Sequence, residues 1–377
     1  MSIYLDYNAM AALRKSALTA MVAAYEQAGN PSSVHGFGRS AKQALEQSRQ
    51  QIAKAIKCSP DDLVFTSGGT ESNNLAIRNA VDVLGVKSLL ISPCEHPSNL
   101  TAAEQSGASI TYLPILADGL LDITAFEKIV LQQKAPFMAV VMLANNETGV
   151  IQPLQEIAEI VHKADGFLHV DAAQSFGKIP VSFGQVGADT MTVAAHKLGG
   201  PIGVGALVVR CGLSLRGQML GGGQESGRRG GTSNVPAITG FAAATVEAVS
   251  ELDEFAALAD KIETLVQMLR RFAPDLVVFG ENADRLPNTL CCAAAGFSSQ
   301  TQVMALDLAG FAISAGSACS SGKVKSSHVL KAMGVADDLA KSAIRISIGR
   351  DITDQQLKLF ANAWGLAYEQ ATRGEVA

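Results

Sequence analysis

The sequence predicts an α/β protein with a large domain, built on a mainly parallel seven-stranded sheet sandwiched by helices, and a small α+β domain at its C-terminal end. Three observations predict it. Between about residues 60 and 210, short runs apolar at every position alternate with helical patterns, which is how strands buried on both faces read. A Gly-rich stretch from Leu220 to Asn234 then ends that rhythm, and an Ala-rich helical region from about Pro236 to Phe272 leads out of the large domain. The chain of 377 residues, 48% of them hydrophobic, is long enough for two domains or one with an appendage.

In chain order the strand candidates of the large sheet are "DLVFTS", "SLLIS", "ITYLPI", "FMAVVMLA", "FLHVDAA", "DTMTVAAH" and "GALVVR", with a helix at Leu154 to Ala164 among them. The remainder reads as strand "NTLCCAA", helix "TQVMALDLA", strand "FAISAG", helix "SHVLKAM", strand "AIRISIG" and a last helix from Thr353. The expected division is a large domain at 15–255 and a small one made of 1–14 with 256–377. Ligands of mainly parallel sheets gather beyond the carboxyl ends of the strands, so the residues that follow these runs are the ones to inspect.

Composition removes several functions. The net charge of −5 and the lack of long basic tracts argue against a nucleic-acid surface. No apolar run approaches the roughly 20 residues of a membrane span. "MSIYLDYNAM" has no basic segment followed by an apolar one, so no signal peptide is expected and the expected location is cytoplasmic. The six cysteines are too few for a disulfide scaffold and none sits in a CxxC pair, so no metal is expected. Cys58, Cys94, Cys211, Cys291 and Cys292 read as packing residues. Cys319 differs, because it stands among serines and glycines in "SAGSACSSGK".

Four stretches carry chemistry. "FTSGGTES" runs from strand through a Gly turn into a helix, with Ser67 and Thr70 at capping positions and Glu71 in the first turn, where free N–H groups and the helix dipole favour a phosphate. "LHVDAAQS" ends an apolar strand in Asp171, a carboxylate that is costly to bury unless a cation meets it. "MTVAAHKLGGPIG" ends another in His196-Lys197, a candidate Schiff-base amine beside glycines that let a flat ligand approach. "SPCEHPSN" places His96 after a strand, where its ring can stack on such a ligand. Taken singly, each has a plain structural reading: a capped helix, an Asp capping a turn, a surface lysine, a structural histidine. Together, a phosphate seat, a carboxylate, a stacking ring and a lysine are what pyridoxal 5′-phosphate (PLP) requires.

The chain resembles the NifS/IscS-type cysteine desulfurases, within the class V aminotransferase family of fold-type I PLP enzymes. The resemblance runs from "YLDYNA" through "NPSSVHGFGRSA", "FTSGGTESNNLAI", "EHPS", "NNETGVIQP", "HVDAAQSFGK", "HKLGGPIGVGAL", "GGGQESGRRGGTSNV" and "SAGSACSSGK" to "IRISIGR". It implies that Lys197 bonds the cofactor and later moves the substrate's α-proton, while Asp171 pairs with the pyridine nitrogen. It implies also that His96 stacks on the ring and assists acid–base steps, and that Asn146 and Gln174 bond the ring oxygen. Gly69, Thr70 and His196 hold the phosphate, joined by Thr232 from a neighbouring subunit, hence a homodimer. Arg345, with Asn30, clamps the substrate carboxylate. Cys319, on the long mobile loop of this group and with Gly316 and Gly322 as pivots, attacks the substrate sulfur as a thiolate, assisted by Lys323 or His96. The implied reaction turns L-cysteine into L-alanine and a persulfide on Cys319, delivered to a sulfur acceptor or iron–sulfur scaffold protein.

One departure stands out. Members carry a serine in an "SxHK" pattern as a phosphate ligand, and here "AAHK" puts Ala194 in that place. Rival readings are a selenocysteine lyase or an aminotransferase on the same fold, a silent binding platform, and a nucleotide-binding module. Cys319 argues against the aminotransferase, the presence of both lysine and thiol against the platform, and the Asp171/Lys197 pair against the nucleotide module.

Overall fold

The structure, a computed structural model, describes residues 2–134, 136–316 and 326–373. Among these, seven strands form one sheet in the spatial order Leu63–Thr66, Gly205–Val209, Thr190–Ala194, Phe167–Asp171, Phe137–Met142, Ser88–Ile91, Ser109–Tyr112. Phe137–Met142 is buried at every position. Phe137, Ala139 and Val141 face the larger core, while Met138 and Val140 face the second, against Ile77 and Ala80 of the helix Gly69–Asp82. Both faces are therefore covered, and the alternation of polar and apolar residues seen in half-exposed strands is absent.

All pairings from Thr190–Ala194 to Ser109–Tyr112 are parallel. Gly205–Val209 is the exception, antiparallel to both of its neighbours. Two reversals restore the direction, so Leu63–Thr66 runs with the other five strands. The carboxyl ends of Leu63–Thr66, Ser88–Ile91, Phe137–Met142, Phe167–Asp171 and Thr190–Ala194 consequently share one sheet edge. The segments leaving that edge carry Gly69, His96, Asn146, Gln174 and Lys197 respectively.

A separate core gathers Leu265, Leu269, Leu290, Ile346, Phe360 and Trp364 with Leu5. Its antiparallel sheet has the order Ser314–Ala315, Ala343–Ser347, Thr289–Ala293, Val277–Val278. The chain start belongs here, because Ile3–Tyr4 pairs parallel with Phe311–Ala312. "FAISAG" is thus two short strands serving two sheets. The Ala-rich region is three helices, Val235–Ser250, Leu252–Ala256 and Leu258–Arg270. It breaks at Glu251, whose carboxylate, like that of Glu247, is held by both Arg14 and Arg350 at 2.6–2.8 Å. No helix of the described residues is long and apolar enough to cross a membrane.

Cys291 and Cys292 are fully buried and Cys94 nearly so. Burial pushes the Cys58, Cys94 and Cys292 thiols up to about 12, which leaves them inert. Cys211 departs from its expected packing role, lying exposed in the turn after Gly205–Val209. Cys319, with Gly322 and Lys323, lies outside the described residues.

The two cores meet at a buried carboxyl. Glu147, in the loop after Phe137–Met142, accepts a hydrogen bond from Ser327, the N-cap of the helix His328–Ala332. Burial raises its pKa from the ordinary 4.5 to about 7, against the Ser327 bond and the Arg345 charge, which act the other way. A carboxyl raised on folding stabilises while it is protonated, fully below 4.5, and that contribution is lost as pH rises to about 7. Urea titrations of Glu147→Gln should therefore lack a loss on the order of 3 kcal/mol that the parent shows between those pH values. Equal pH dependence in the two proteins would place the titrating group elsewhere.

Candidate active site

Past the strand Thr190–Ala194 the chain takes a short 3-10 turn, Ala195–Lys197, that directs Lys197 back toward the N-terminal segment. Its Nζ donates to the carbonyl oxygens of Asn8, at 2.7 Å, and Ala9, at 3.0 Å. Lys197 lines a cavity of about 210 Å³ together with Gly69, Thr70, His96, Asn146, Asp171, Gln174, His196 and Arg345.

Asp171 closes the strand Phe167–Asp171 and accepts from three donors: Asn73 Nδ2 at 2.8 Å, the Ala173 N–H at 2.9 Å and Asn99 Nδ2 at 3.5 Å. The direction of the Asn73 amide is fixed from behind. His169, two residues earlier in the strand, is completely buried, and burial lowers it to about 4, so it is neutral. With Nδ1 on the Thr190 hydroxyl at 2.8 Å, Nε2–H donates to Asn73 Oδ1 at 3.2 Å, which turns the Asn73 NH₂ toward Asp171 and Ser98. Glu95 lies nearby with no exposure. Burial, then the Asp171 charge, pushes its pKa well up and keeps it neutral while it accepts from the Met142 N–H and Asn99.

His96 caps the helix Pro97–Glu104, its Nδ1 accepting from the Ser98 N–H at 3.1 Å. The proton of the neutral ring therefore sits on Nε2, and burial lowers its basicity. At the other end of the cavity the helix Gly69–Asp82 begins. Its N-cap is Gly68, which has no side chain to cap with, so Ser67 does not cap as the sequence suggested. The Ser67 N–H instead donates to Glu71 Oε2 at 2.8 Å, and Glu71 pairs with Arg229 at 2.9 Å. Gly205 packs here so closely that a Cβ would lie 2.8 Å from the Gly68 Cα and 2.7 Å from the Val193 oxygen, which only glycine tolerates. His196 is held neutral, near 4, by burial and then by Lys197 and Lys178.

Arg345, 1% exposed, donates to Asp6 at 2.6 Å, to the Asn146 carbonyl at 2.9 Å and to Ser314 at 3.2 Å. The Asp6 contact was not foreseen, since Asp6 precedes Arg345 by most of the chain and meets it only because Ile3–Tyr4 joins the C-terminal core. Asn30 and Thr232 are exposed and do not line the cavity, and the Asn30 side chain is engaged locally by the Ser32 N–H at 2.9 Å. Sequence reasoning also passed over Asn8, Asn73, Ser98, His169 and Lys178. All five are uncharged or read as ordinary polar residues until the fold buries them.

Five buried side-chain polar atoms among the described residues have no partner, and three belong to this site: Thr192 Oγ1, Asn99 Oδ1 and Arg345 Nε. Thr192 stands opposite Asp171 in the sheet register, and Asn99 bonds to it. Buried polar atoms are nearly always satisfied, so this concentration is what a site built for a polar ligand leaves behind.

The aminotransferase class-V family profile matches residues 3–360. A cysteine desulfurase IscS of Dictyoglomus turgidum is 39% identical over 362 residues, covering 94% of this chain and 91% of that protein. Among solved structures, one described as a NifS-like protein has a TM-score of 0.91 at 33% identity, covering 98% of this chain and 100% of that one. A NifS-like protein from Rickettsia africae gives 0.90 at 32%, with the same coverage. With the fold, the cavity and these similarities in agreement along nearly the whole length, the chain belongs to the aminotransferase class-V family and, within it, to the NifS/IscS-type cysteine desulfurases.

Proposed function

We propose that the enzyme binds PLP in the Lys197 cavity, takes L-cysteine as substrate, and passes its sulfur through Cys319 to an acceptor. The observation that carries this reading is the meeting of an amine, a carboxylate and an uncapped helix start in one cavity at the carboxyl edge of a parallel sheet. The residues fit the cofactor. The first-turn N–H groups of Gly69–Asp82, which no side chain caps, would receive its phosphate, with Gly69, Thr70 and a neutral His196 beside it. Asp171, which meets only N–H donors on its protein side, would face the pyridine nitrogen, and Asn146 and Gln174 the ring oxygen. When bound, PLP supplies an electron sink for the bonds at the substrate's α-carbon.

The chain's own groups do the rest. Lys197 is the amine that would hold the cofactor and the base that takes the α-proton. The Asn8 and Ala9 carbonyls accept hydrogen bonds from its Nζ and restrain it, but being pure acceptors they neither donate to it nor take its proton. His96, neutral with its proton on Nε2, would stack on the ring and could donate a proton there. Arg345 receives the substrate carboxylate by exchanging part of its pairing with Asp6, so the guanidinium is already oriented when substrate arrives. The Cys319 thiolate then attacks the substrate sulfur. The C–S bond breaks, the sulfur stays on Cys319 as a persulfide, and the protonated carbon skeleton leaves as L-alanine. Thr232 would complete the phosphate site of the partner in a homodimer, with Asn30 assisting Arg345. The persulfide would go to a sulfur-acceptor or iron–sulfur scaffold protein in the cytoplasm.

Purified protein mixed with L-cysteine and a thiol reductant should release alanine and sulfide in equal amounts. Cys319→Ala should keep the visible absorption of bound cofactor and release no sulfide, while Lys197→Ala should lose both. A keto acid in place of alanine, or full turnover by Cys319→Ala, would sink the reading. A second expectation concerns Ala194, whose Cβ lies 3.7 Å from where a Gly69 Cβ would be, at the helix start. Ala194→Ser should tighten cofactor retention about two- to tenfold, one neutral hydrogen bond's worth, in equilibrium dialysis.

A further inference from the structure

Lys178 has no part in the chemistry above, yet it is among the most enclosed cations of the protein, 3% exposed in the turn that follows Asp171. Its Nζ donates to Gln174 Oε1 at 2.8 Å and to Asn8 Oδ1 at 2.9 Å. The charges acting on it are cations. Burial first, then Lys197 and Arg345, push its pKa well below the ordinary lysine value. The cavity behind it, about 500 Å³ and shared with Lys197, carries Arg14, Lys15, Arg350, Glu247 and Asp351, with Arg14 and Arg350 both bonded to Glu247. A buried amine facing two amide oxygens and two cations is an expensive way to fill space.

Its geometry does one thing that an apolar side chain cannot. Whatever its charge, the amine offers the two N–H bonds that these contacts need, and as an ammonium, with no lone pair, it requires both amides to turn oxygen toward it. The opposite ends agree: Gln174 Nε2 donates to the Asn8 carbonyl at 2.8 Å, and Asn8 Nδ2 donates to Thr289 Oγ1 at 2.9 Å. Gln174 lines the Lys197 cavity, whereas Lys178 does not.

We propose that Lys178 is a positioning residue that sets the direction of the Gln174 and Asn8 amides, so that Gln174 offers an N–H and never an oxygen to the ligand in the Lys197 cavity. This rests on the reading that the ligand is PLP with its ring oxygen at Gln174. An amide turned the other way would bring a lone pair against a negatively charged oxygen. Lys178 thus acts on the ring through Gln174, without touching it.

The test uses the holoenzyme and the pH midpoint of its visible absorption change. Without the Gln174 N–H, the ring oxygen holds the neighbouring proton more tightly and the midpoint rises. Lys178→Met should raise it by about half to one pH unit, and Lys178→Gln should move it the same way. Gln174→Ala should raise it too, and the Lys178→Met/Gln174→Ala double variant should move no further than Gln174→Ala alone. A merely structural lysine would lower the melting temperature and leave the midpoint in place. An unchanged midpoint in both Lys178 variants, or additive shifts in the double variant, overturns the proposal while leaving the cofactor site intact. Absence of any visible absorption in the parent protein overturns both.

Discussion

The pocket depends on one residue, Asn8, which is wholly buried and whose every polar group has a partner within the protein. Its N–H donates to Ser347 Oγ and its carbonyl accepts from Gln174 and Lys197. Its side-chain oxygen accepts from Lys178 and Asn288, and its side-chain nitrogen donates to Thr289. Each unsatisfied buried group would cost about 1–3 kcal/mol, so the arrangement is close to all-or-none. Because Ile3–Tyr4 is a strand of the C-terminal core, Asn8 is where that core reaches across to the lysine of the large sheet. The two halves of the protein share an amide at the point where chemistry is expected.

From this follows the placing of Arg345. It belongs to the strand Ala343–Ser347, yet its guanidinium touches Asp6 and the Asn146 carbonyl, one residue before the Glu147 carboxyl that holds Ser327. The N-terminal segment, the loop after Phe137–Met142 and the root of the helix His328–Ala332 therefore move together or not at all. That helix begins just after the segment that carries Cys319 in the sequence. Arg345 and the start of the helix His328–Ala332 are thus tied to the same buried loop.

Much of the fold was legible because the strands of a doubly covered sheet have no polar side, and all seven runs read from the sequence became strands of one sheet. Asp171, His96 and Lys197 could be singled out because each ends such a run. The reversal of Gly205–Val209 could not be read, since "GALVVR" has the same apolar pattern in either direction. What requires it is the short connection from Ala194 to Gly205, which holds only the 3-10 turn Ala195–Lys197 and no crossover helix to bring the chain back parallel. The break at Glu251 was hidden for a similar reason, because Ala-rich sequence favours helix on both sides and the arginines that hold Glu251 come from residues 14 and 350. Lys178 and His169 escaped notice for the opposite reason: a lone lysine or histidine in a polar motif reads as surface until the fold encloses it.

The electrostatics of the cavity give a last constraint. Lys197, Lys178 and Arg345 are gathered within mutual influence, while the acids near them are largely silenced: Glu95 is held neutral and Glu147 is raised to about 7. His96 and His196 are both lowered, so neither adds charge of its own. Asp171 and Asp6 remain as the carboxylates, one surrounded by amide donors and the other bonded to Arg345. Like charges in a poorly hydrated space raise the cost of each proton, and Lys178, facing Lys197 and Arg345, is accordingly lowered well below the ordinary lysine value. The phosphate and carboxylate of the proposed ligands would offset that cost, since they supply the negative charge that the acids withhold. The same cluster of cations would thus serve as the binding field for the anionic cofactor and substrate proposed above.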